Sequence, residues 1–300
     1  MASNSLTVGG TGKRISDKPA SGLYIAATPI GNLADVTLRV IETLRAADLI
    51  ACEDRRVTAR LLARHGITTP TISYHDHNAA KVRPGLIRRL QQGQIIVLVS
   101  DAGTPLISDP GYRLVNAARE AAIPVTALPG ASSVLAALMI TGLPTDRFLF
   151  VGFLPVKAGQ RRQSLDEIAD VRATLVVFES ARRMASSLAD MAARLGGDRD
   201  AAVVRELTKL HEEVRRGRLA ELETHYAEAG PPKGEVVIVV APPLERQVTE
   251  ADIDAALREA LRDDSPSRAA AAVAAAFDIP KRQAYRRALA LTADTGREPR

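Results

Sequence analysis

The sequence predicts an α/β protein with two consecutive α/β domains and a small C-terminal helical extension. Three observations carry that reading. Short β-branched apolar runs alternate with amphipathic helical patterns along most of the 300 residues, which is how a sheet flanked by helices is written. In the first half these runs end in loops rich in Gly, Pro and Asp, where an α/β sheet binds its ligands. A change of character at Leu143-Pro144-Thr145-Asp146, and a second beyond residue 242, divide the chain. The expected divisions are a disordered tail (1–21), a first domain (22–144), a second domain (145–242) and the extension (243–300).

Composition narrows the function. A length of 300 residues suggests about two domains, and 46% hydrophobic residues are enough for ordinary cores. Aromatics are only 3% and there is no Trp, so any nucleic-acid contact leans on charge more than on stacked rings. The net charge of +5 mildly favours an anionic partner. Cys52 is the single cysteine, which excludes an internal disulfide or a Cys-based zinc site and fits a reducing compartment. The polar start of the chain does not read as a signal peptide, and apolar runs such as 236–241 are too short for a bilayer. A cytoplasmic location is expected, with no membrane partner.

In chain order, Gly9-Gly10-Thr11-Gly12-Lys13 looks like a phosphate loop but lacks the preceding strand and the Ser/Thr after the lysine. A strand at 22–27 ends in Thr28-Pro29-Ile30-Gly31-Asn32-Leu33, and a helix follows that Asn32 or Asp35 is placed to cap. The strand at 48–51 runs into Cys52-Glu53-Asp54-Arg55-Arg56. On the next helix Arg56, Arg60 and Arg64 fall four apart, forming either a solvated stripe or a phosphate-facing surface. A third strand at 71–74 delivers His75-Asp76-His77-Asn78, read as a turn that caps the next helix or as part of a reaction site. Metal is the weaker reading there, because no further His or Cys stands at ligand spacing.

The stretch 97–111 organises the first domain. A buried strand, 95–99, stops at Ser100-Asp101 and gives way to Ala102-Gly103-Thr104-Pro105, then to Ser108-Asp109-Pro110-Gly111. Gly103 lets backbone approach a ligand and Pro105 fixes the exit direction. After a strand at 124–128, Pro129-Gly130-Ala131-Ser132-Ser133 opens a helix that stops at Gly142. A parallel sheet would bring these strand-end loops to one rim.

The second half has strands at 148–153, 174–178, 201–204 and 236–240, with a basic loop from Lys157 to Arg161-Arg162 and strand ends at Glu179-Ser180 and Arg205-Glu206-Leu207-Thr208-Lys209. Intervening helices make a mixed sheet the expectation. In the extension, Ser265-Pro266 starts an Ala-rich helix. A turn at Asp278-Ile279-Pro280 then leads to a helix with Lys281, Arg282, Arg286 and Arg287, which is either a basic helix-turn-helix or a plain helical cap.

The ordered set Thr28-Pro29-Ile30-Gly31-Asn32-Leu33, Glu53-Asp54-x-Arg56, His75-Asp76-His77-Asn78, Ser100 to Pro105 with Asp109-Pro110-Gly111, Pro129-Gly130, Gly152-Phe153-Leu154-Pro155, Arg205 to Lys209 and Lys233-Gly234-Glu235 resembles the tetrapyrrole methylase superfamily, in particular its branch acting on bacterial small-subunit ribosomal RNA. The likeness spans residues 22–242. It implies S-adenosylmethionine as methyl donor, held in the cleft between two α/β domains of tetrapyrrole-methylase type. It implies the 2′-hydroxyl of a decoding-centre cytidine in 16S rRNA of the 30S subunit as acceptor, and a homodimer. By the same resemblance the donor lies against Pro29, Asp101, Gly103, Thr104, Ile107 and the loop Pro129, Gly130, Ala131, Ser132, with Phe178, Arg205 and Glu235 across the cleft. Arg55, Val57 and Leu210-His211 depart from the common pattern. A strand-end base is expected among His77, Asp76, Glu53 and Asp54, with Glu206 and Lys209 opposite. Arg56, Arg60, Arg64, Lys157, Arg161, Arg162, Lys281, Arg282, Arg286 and Arg287 are the expected phosphate contacts. The rival readings are a tetrapyrrole methyltransferase with a small acidic substrate and a ribosome assembly factor without chemistry.

Overall fold

The computed structural model describes residues 19–108, 111–244 and 249–294. Asp109 and Pro110, most of the tail expected to be disordered, and the Gly9 to Lys13 run lie outside the described residues. The chain divides into two compact units, residues 1–243 and 244–300.

Among its described residues the larger unit holds two sheets. In the first, β1 (Gly22–Ala26), β2 (Leu49–Cys52), β3 (Thr71–Ser73), β4 (Ile95–Val99) and β5 (Val125–Leu128) run parallel in the order β3-β2-β4-β1-β5. The central strand β4 is buried along its whole length, and its pleat feeds two cores. Val97 and Val99 pack with Val40 and Leu44 of α1 (Leu38–Ala46) and Leu61 and Leu62 of α2 (Arg55–Arg64). Ile96 and Leu98 pack with Leu86 and Leu90 of α3 (Ala79–Gln91) and Leu114 of α4 (Tyr112–Glu120) on the other face. The connections after adjacent strands β1 and β4 therefore leave toward opposite faces, which opens a crevice at their carboxyl ends.

The second sheet has the order β6-β7-β10-β8-β9. It is built from β6 (Phe148–Phe153), β7 (Thr174–Ser180), β8 (Asp200–Arg205), β9 (Glu213–Arg218) and β10 (Glu235–Val240). Only β6 and β7 are parallel, and the remaining pairs are antiparallel. One face is covered by α6 (Ala158–Asp166), α7 (Met184–Leu195) and α8 (Leu219–Ala229) through Leu165, Leu188, Met191 and Leu222.

The other face is covered by α5 (Ser133–Thr141), whose Val134, Ala137 and Leu138 pack on Val176, Val204, Val237 and Val239. Arg216 of β9 donates to the C-terminal carbonyls of α5, at Ile140 and at Thr141 (2.9 Å). The expected boundary at residue 144 assigns this helix to the first domain, whereas its packing ties it to the second sheet. A helix apolar on every side carries no stripe that tells which sheet it serves. A smaller difference lies at α1. Asn32 caps the short 3-10 turn at Leu33–Asp35, and Thr37 caps the helix itself through Val40 N–H (3.2 Å).

Among its described residues the C-terminal unit has three helices, α9 (Glu250–Ala260), α10 (Pro266–Phe277) and α11 (Lys281–Asp294), where two were expected. Ile253, Leu257, Val273, Ala284 and Ala288 close its core. Pro266 opens α10 as anticipated, and Asp278 ends it in the left-handed region (φ 49°). Among the described residues, no helix is long and apolar enough to cross a membrane.

Candidate functional site

Three loops meet at the carboxyl rim of the parallel sheet, and hydrogen bonds lace them together. Thr28 and Gly103 exchange both backbone bonds (2.8 and 3.0 Å). The Thr28 hydroxyl donates to Ser100 O (3.1 Å), and Thr104 Oγ1 donates to Ala131 O (3.1 Å). Asp101 Oδ1 accepts Asp54 N–H (2.9 Å), joining the end of β2 to the end of β4. The loop after β4 has positive φ at Gly103, where it is free, and at Leu106 and Ser108, where it is strained; strained positions of this kind cluster at functional sites.

The ends of β7, β8 and β10 face this rim. Phe178 stands edge-on to Phe150 and Phe153, with centroids 4.8 and 5.5 Å away. Glu206 and Thr208 both have positive φ. Glu206 Oε1 accepts from Lys209 Nζ (2.7 Å) and from Glu235 N–H (2.9 Å), and Lys209 reaches Glu235 Oε2 at 3.1 Å. A Cβ on Gly31 of the opposite rim would collide with the Lys209 stem and lie 2.8 Å from Leu207 O. Glycine at that point is what lets the two rims touch.

Two cavities open between the rims. The larger, about 560 Å³, is lined by Gly103, Thr104, Ile107 and Ser132 on one side, and by Phe153, Phe178, Glu179, Ser180, Arg182 and Glu235 on the other. The smaller, about 340 Å³, is lined by Thr28, Pro29, Leu33, Val57, Arg60, Asp101 and Lys209. Ile30, Ala102 and Glu235 line both, so the two adjoin.

Of the residues expected to hold a cofactor, Gly103, Thr104, Ile107, Ser132, Phe178 and Glu235 come together on the larger cavity, and Pro29 and Asp101 on the smaller. Pro129, Gly130, Ala131 and Arg205 line neither. Ala131 accepts from Thr104, and Arg205 is paired with Glu213 at 2.8 Å.

The expected bases His77, Asp76, Glu53 and Asp54 line neither cavity. His77 and Asp76 follow the edge strand β3, whereas Glu53 and Asp54 follow β2, beside β4, where the Asp54 N–H donates to Asp101 of the smaller cavity. Asp54 caps α2 and its hydrogen bonds from Arg56 pull its pKa to about 2, so it is a feeble base. Burial raises Glu53, with the Asp101 charge adding to it and His75 opposing. Asn78 ties its turn locally, accepting His75 N–H (2.9 Å) and donating to Ser73 O (2.9 Å). At Lys209 burial works against the charge, but the bonds to Glu206 and Glu235 outweigh it and hold its pKa above the usual value.

Among the expected phosphate contacts, Arg56, Arg60, Arg64, Lys157, Arg162, Lys281, Arg282 and Arg286 are exposed. Arg161 is a correction. It is buried, pairs with Asp190 at 2.6 Å and donates to Val156 O (3.2 Å). Arg287 is half-buried and paired within its own unit with Asp254 and with Glu250 (2.9 Å). Arg161→Ala strands Asp190 in a largely buried place and is expected to cost about 3–5 kcal/mol in urea unfolding. The salt dependence of RNA binding should be that of the parent; a flatter slope in a fully stable variant would return Arg161 to the RNA surface.

Comparison with known proteins agrees with this architecture. The family model of the Tetrapyrrole (Corrin/Porphyrin) Methylases matches residues 22–223, and that of the RsmI C-terminal HTH domain matches residues 247–292. Ribosomal RNA small subunit methyltransferase I of Mesorhizobium japonicum is 53% identical over 274 residues, covering 91% of this chain and 93% of that protein. Its counterpart from Erythrobacter litoralis is 52% identical over 277 residues, covering 92% and 98%. Among solved structures, uroporphyrin-III C-methyltransferase from Thermus thermophilus, complexed with S-adenyl homocysteine, shares the fold. The TM-score is 0.52 at 21% identity, over 73% of this chain and 97% of that one.

Proposed function

This chain belongs to the tetrapyrrole methylase family and, within it, to the ribosomal RNA small subunit methyltransferase I proteins, and on that premise we propose that it methylates the 2′-hydroxyl of a decoding-centre cytidine in 16S rRNA with S-adenosylmethionine as donor. The observation that carries the reading is identity above half with those proteins over nearly the whole chain, C-terminal unit included.

The larger cavity suits the donor. Its volume of about 560 Å³ lies within the ordinary range for a small-molecule site, roughly 300–1,000 Å³. Ile107, Phe153 and Phe178 give it apolar walls, and Glu235 brings a carboxylate toward a donor that carries positive charge. Gly103, Thr104, Ile107, Ser132, Phe178 and Glu235 would hold it. Bound there, S-adenosylmethionine supplies a methyl group made electrophilic by its sulfonium. The chain's task is then to orient the acceptor in line and keep water out, so positioning carries much of the rate. Pro29 and Asp101, expected to hold the donor as well, line the smaller cavity that adjoins the larger one.

The exposed cations Arg56, Arg60, Arg64, Lys157, Arg162, Lys281, Arg282 and Arg286 are the phosphate contacts in this reading. Each contact removed should flatten the log–log salt dependence of 30S binding by about one unit. Arg282→Ala with Arg286→Ala is the pair to measure, and an unchanged slope would leave α11 as ordinary solvated surface. The protein acts in the cytoplasm as a homodimer in this reading. Leu135 and Met139 on α5, 52% and 81% exposed, support an apolar contact between copies.

Transfer of labelled methyl from S-adenosylmethionine to isolated 30S subunits, beside free 16S rRNA and a tetrapyrrole, tests the reading. Label on the subunit or its rRNA is the expected result. Transfer to the tetrapyrrole alone, or to none of the three, overturns it.

A further inference from the structure

We propose that the smaller cavity seats the acceptor nucleotide, swung out of its RNA strand, and that Lys209 and Glu235 act on its ribose hydroxyl. The inference rests on the rRNA methyl-transfer reading and names the substrate subsite and the reacting side chains within it.

Three observations lead there. The cavities share Ile30, Ala102 and Glu235, so a group seated in one meets a group seated in the other. Leu33 and Val57, 41% and 37% exposed, are large apolar side chains that line the smaller cavity. They offer a face to a base, while Arg60 beside them offers a cation to its phosphate. At the junction, Lys209 and Glu235 form a pair at 3.1 Å, both held by Glu206. A volume of about 340 Å³ takes a single nucleotide but no duplex, so the residue must leave its stack, at a cost lowest for an unpaired base.

The chemistry follows from the charges. Lys209 is held as an ammonium by two carboxylates and so serves as a donor, not as a base. A hydroxyl seated between the pair receives a hydrogen bond from Lys209 and gives one to Glu235. As oxygen attacks the methyl carbon, its proton passes to the Glu235 carboxylate. The O–C bond forms while the C–S bond breaks and its electron pair leaves on sulfur. The products are the 2′-O-methyl nucleotide, S-adenosylhomocysteine and a protonated Glu235, and the Lys209 cation steadies the negative charge that grows on oxygen meanwhile.

The test compares Lys209→Met, Glu235→Gln and Val57→Asp with the parent. It uses single-turnover methyl transfer to 30S subunits, KM for the subunit, and calorimetry of S-adenosylmethionine. Lys209→Met should bind the donor as the parent does and lose at least about 10²-fold in single-turnover rate. Glu235→Gln, a same-shape change at a carboxylate 76% exposed, should lose as much with the donor saturating. Val57→Asp should raise KM for the subunit and leave donor binding alone. Parental rates in either Lys209→Met or Glu235→Gln would overturn the inference, as would a parental KM in Val57→Asp. Failure of the unaltered protein to methylate any RNA would instead overturn the functional reading beneath it.

Discussion

Gly103→Val is expected to abolish S-adenosylmethionine binding in a protein that still folds. Gly103 sits at φ 76°, where a β-branched residue is most strained, at a cost on the order of 1–3 kcal/mol. The backbone has no easy escape, because its N–H and C=O are both bonded to Thr28 (3.0 and 2.8 Å). A Cβ built there lies 3.2 Å from Ile30 Cγ2, and valine adds two methyl groups beyond it. Ile30 lines both cavities, so whichever side yields, the displaced atoms enter the binding space or unlace the rim. A loss of at least about 100-fold in affinity corresponds to roughly 2.7 kcal/mol, the upper end of that strain, to which the two added methyl groups contribute. Calorimetry reads it directly, and Gly103→Ala should fall between. Parental affinity in folded Gly103→Val would remove this loop from the donor site.

The parts of the fold that were legible in the sequence are those where local chemistry leaves one choice. The loops after β1, β4 and β5 need Gly, Pro or Asp at set places, and a parallel sheet has only one rim on which to gather them. What stayed hidden was which element faces which. Helix α5 is apolar all round, so nothing in its pattern assigns it to the second sheet. Arg161 looked like half of a basic pair, yet it stands four residues before Leu165 on the buried stripe of α6, and Asp190 waits on α7. That spacing was the available signal, and charge alone overrode it. His77 has the intrinsic acidity of a base near neutral pH, but intrinsic acidity says nothing about distance from the crevice. Position in the strand order does: β3 is an edge strand, two places from the β1–β4 switch point. The resemblance puts Lys209 and Glu235 across the cleft, but their pairing joins the loop after β8 to the start of β10, and no local spacing relates them.

Arg183→Met is expected to destabilise the larger unit by about 3–5 kcal/mol, a substantial part of the roughly 5–15 kcal/mol that holds an ordinary domain together. Its partner Glu179, at the end of β7, has a side chain with no solvent exposure. That carboxylate accepts the Ser180 N–H (2.6 Å) and the Ser187 hydroxyl (2.5 Å), and pairs with Arg183 at 2.6 Å. Arg183 also donates to Leu154 O (3.1 Å) and to Ser180 Oγ (3.2 Å), so one guanidinium ties β7 and the loop after β6 together. Methionine fills much of the arginine's volume but leaves a buried charge facing two neutral donors. The cost is therefore mostly that of an uncompensated carboxylate and not of lost packing. Replacing both partners, Glu179→Leu with Arg183→Met, removes the stranded charge and should recover a large share of the loss. Urea unfolding of the two single variants and the double variant separates these contributions as a double-mutant cycle. Additive losses in the double variant would show that the two side chains act independently, and that the ion pair does not hold this wall of the larger cavity in place.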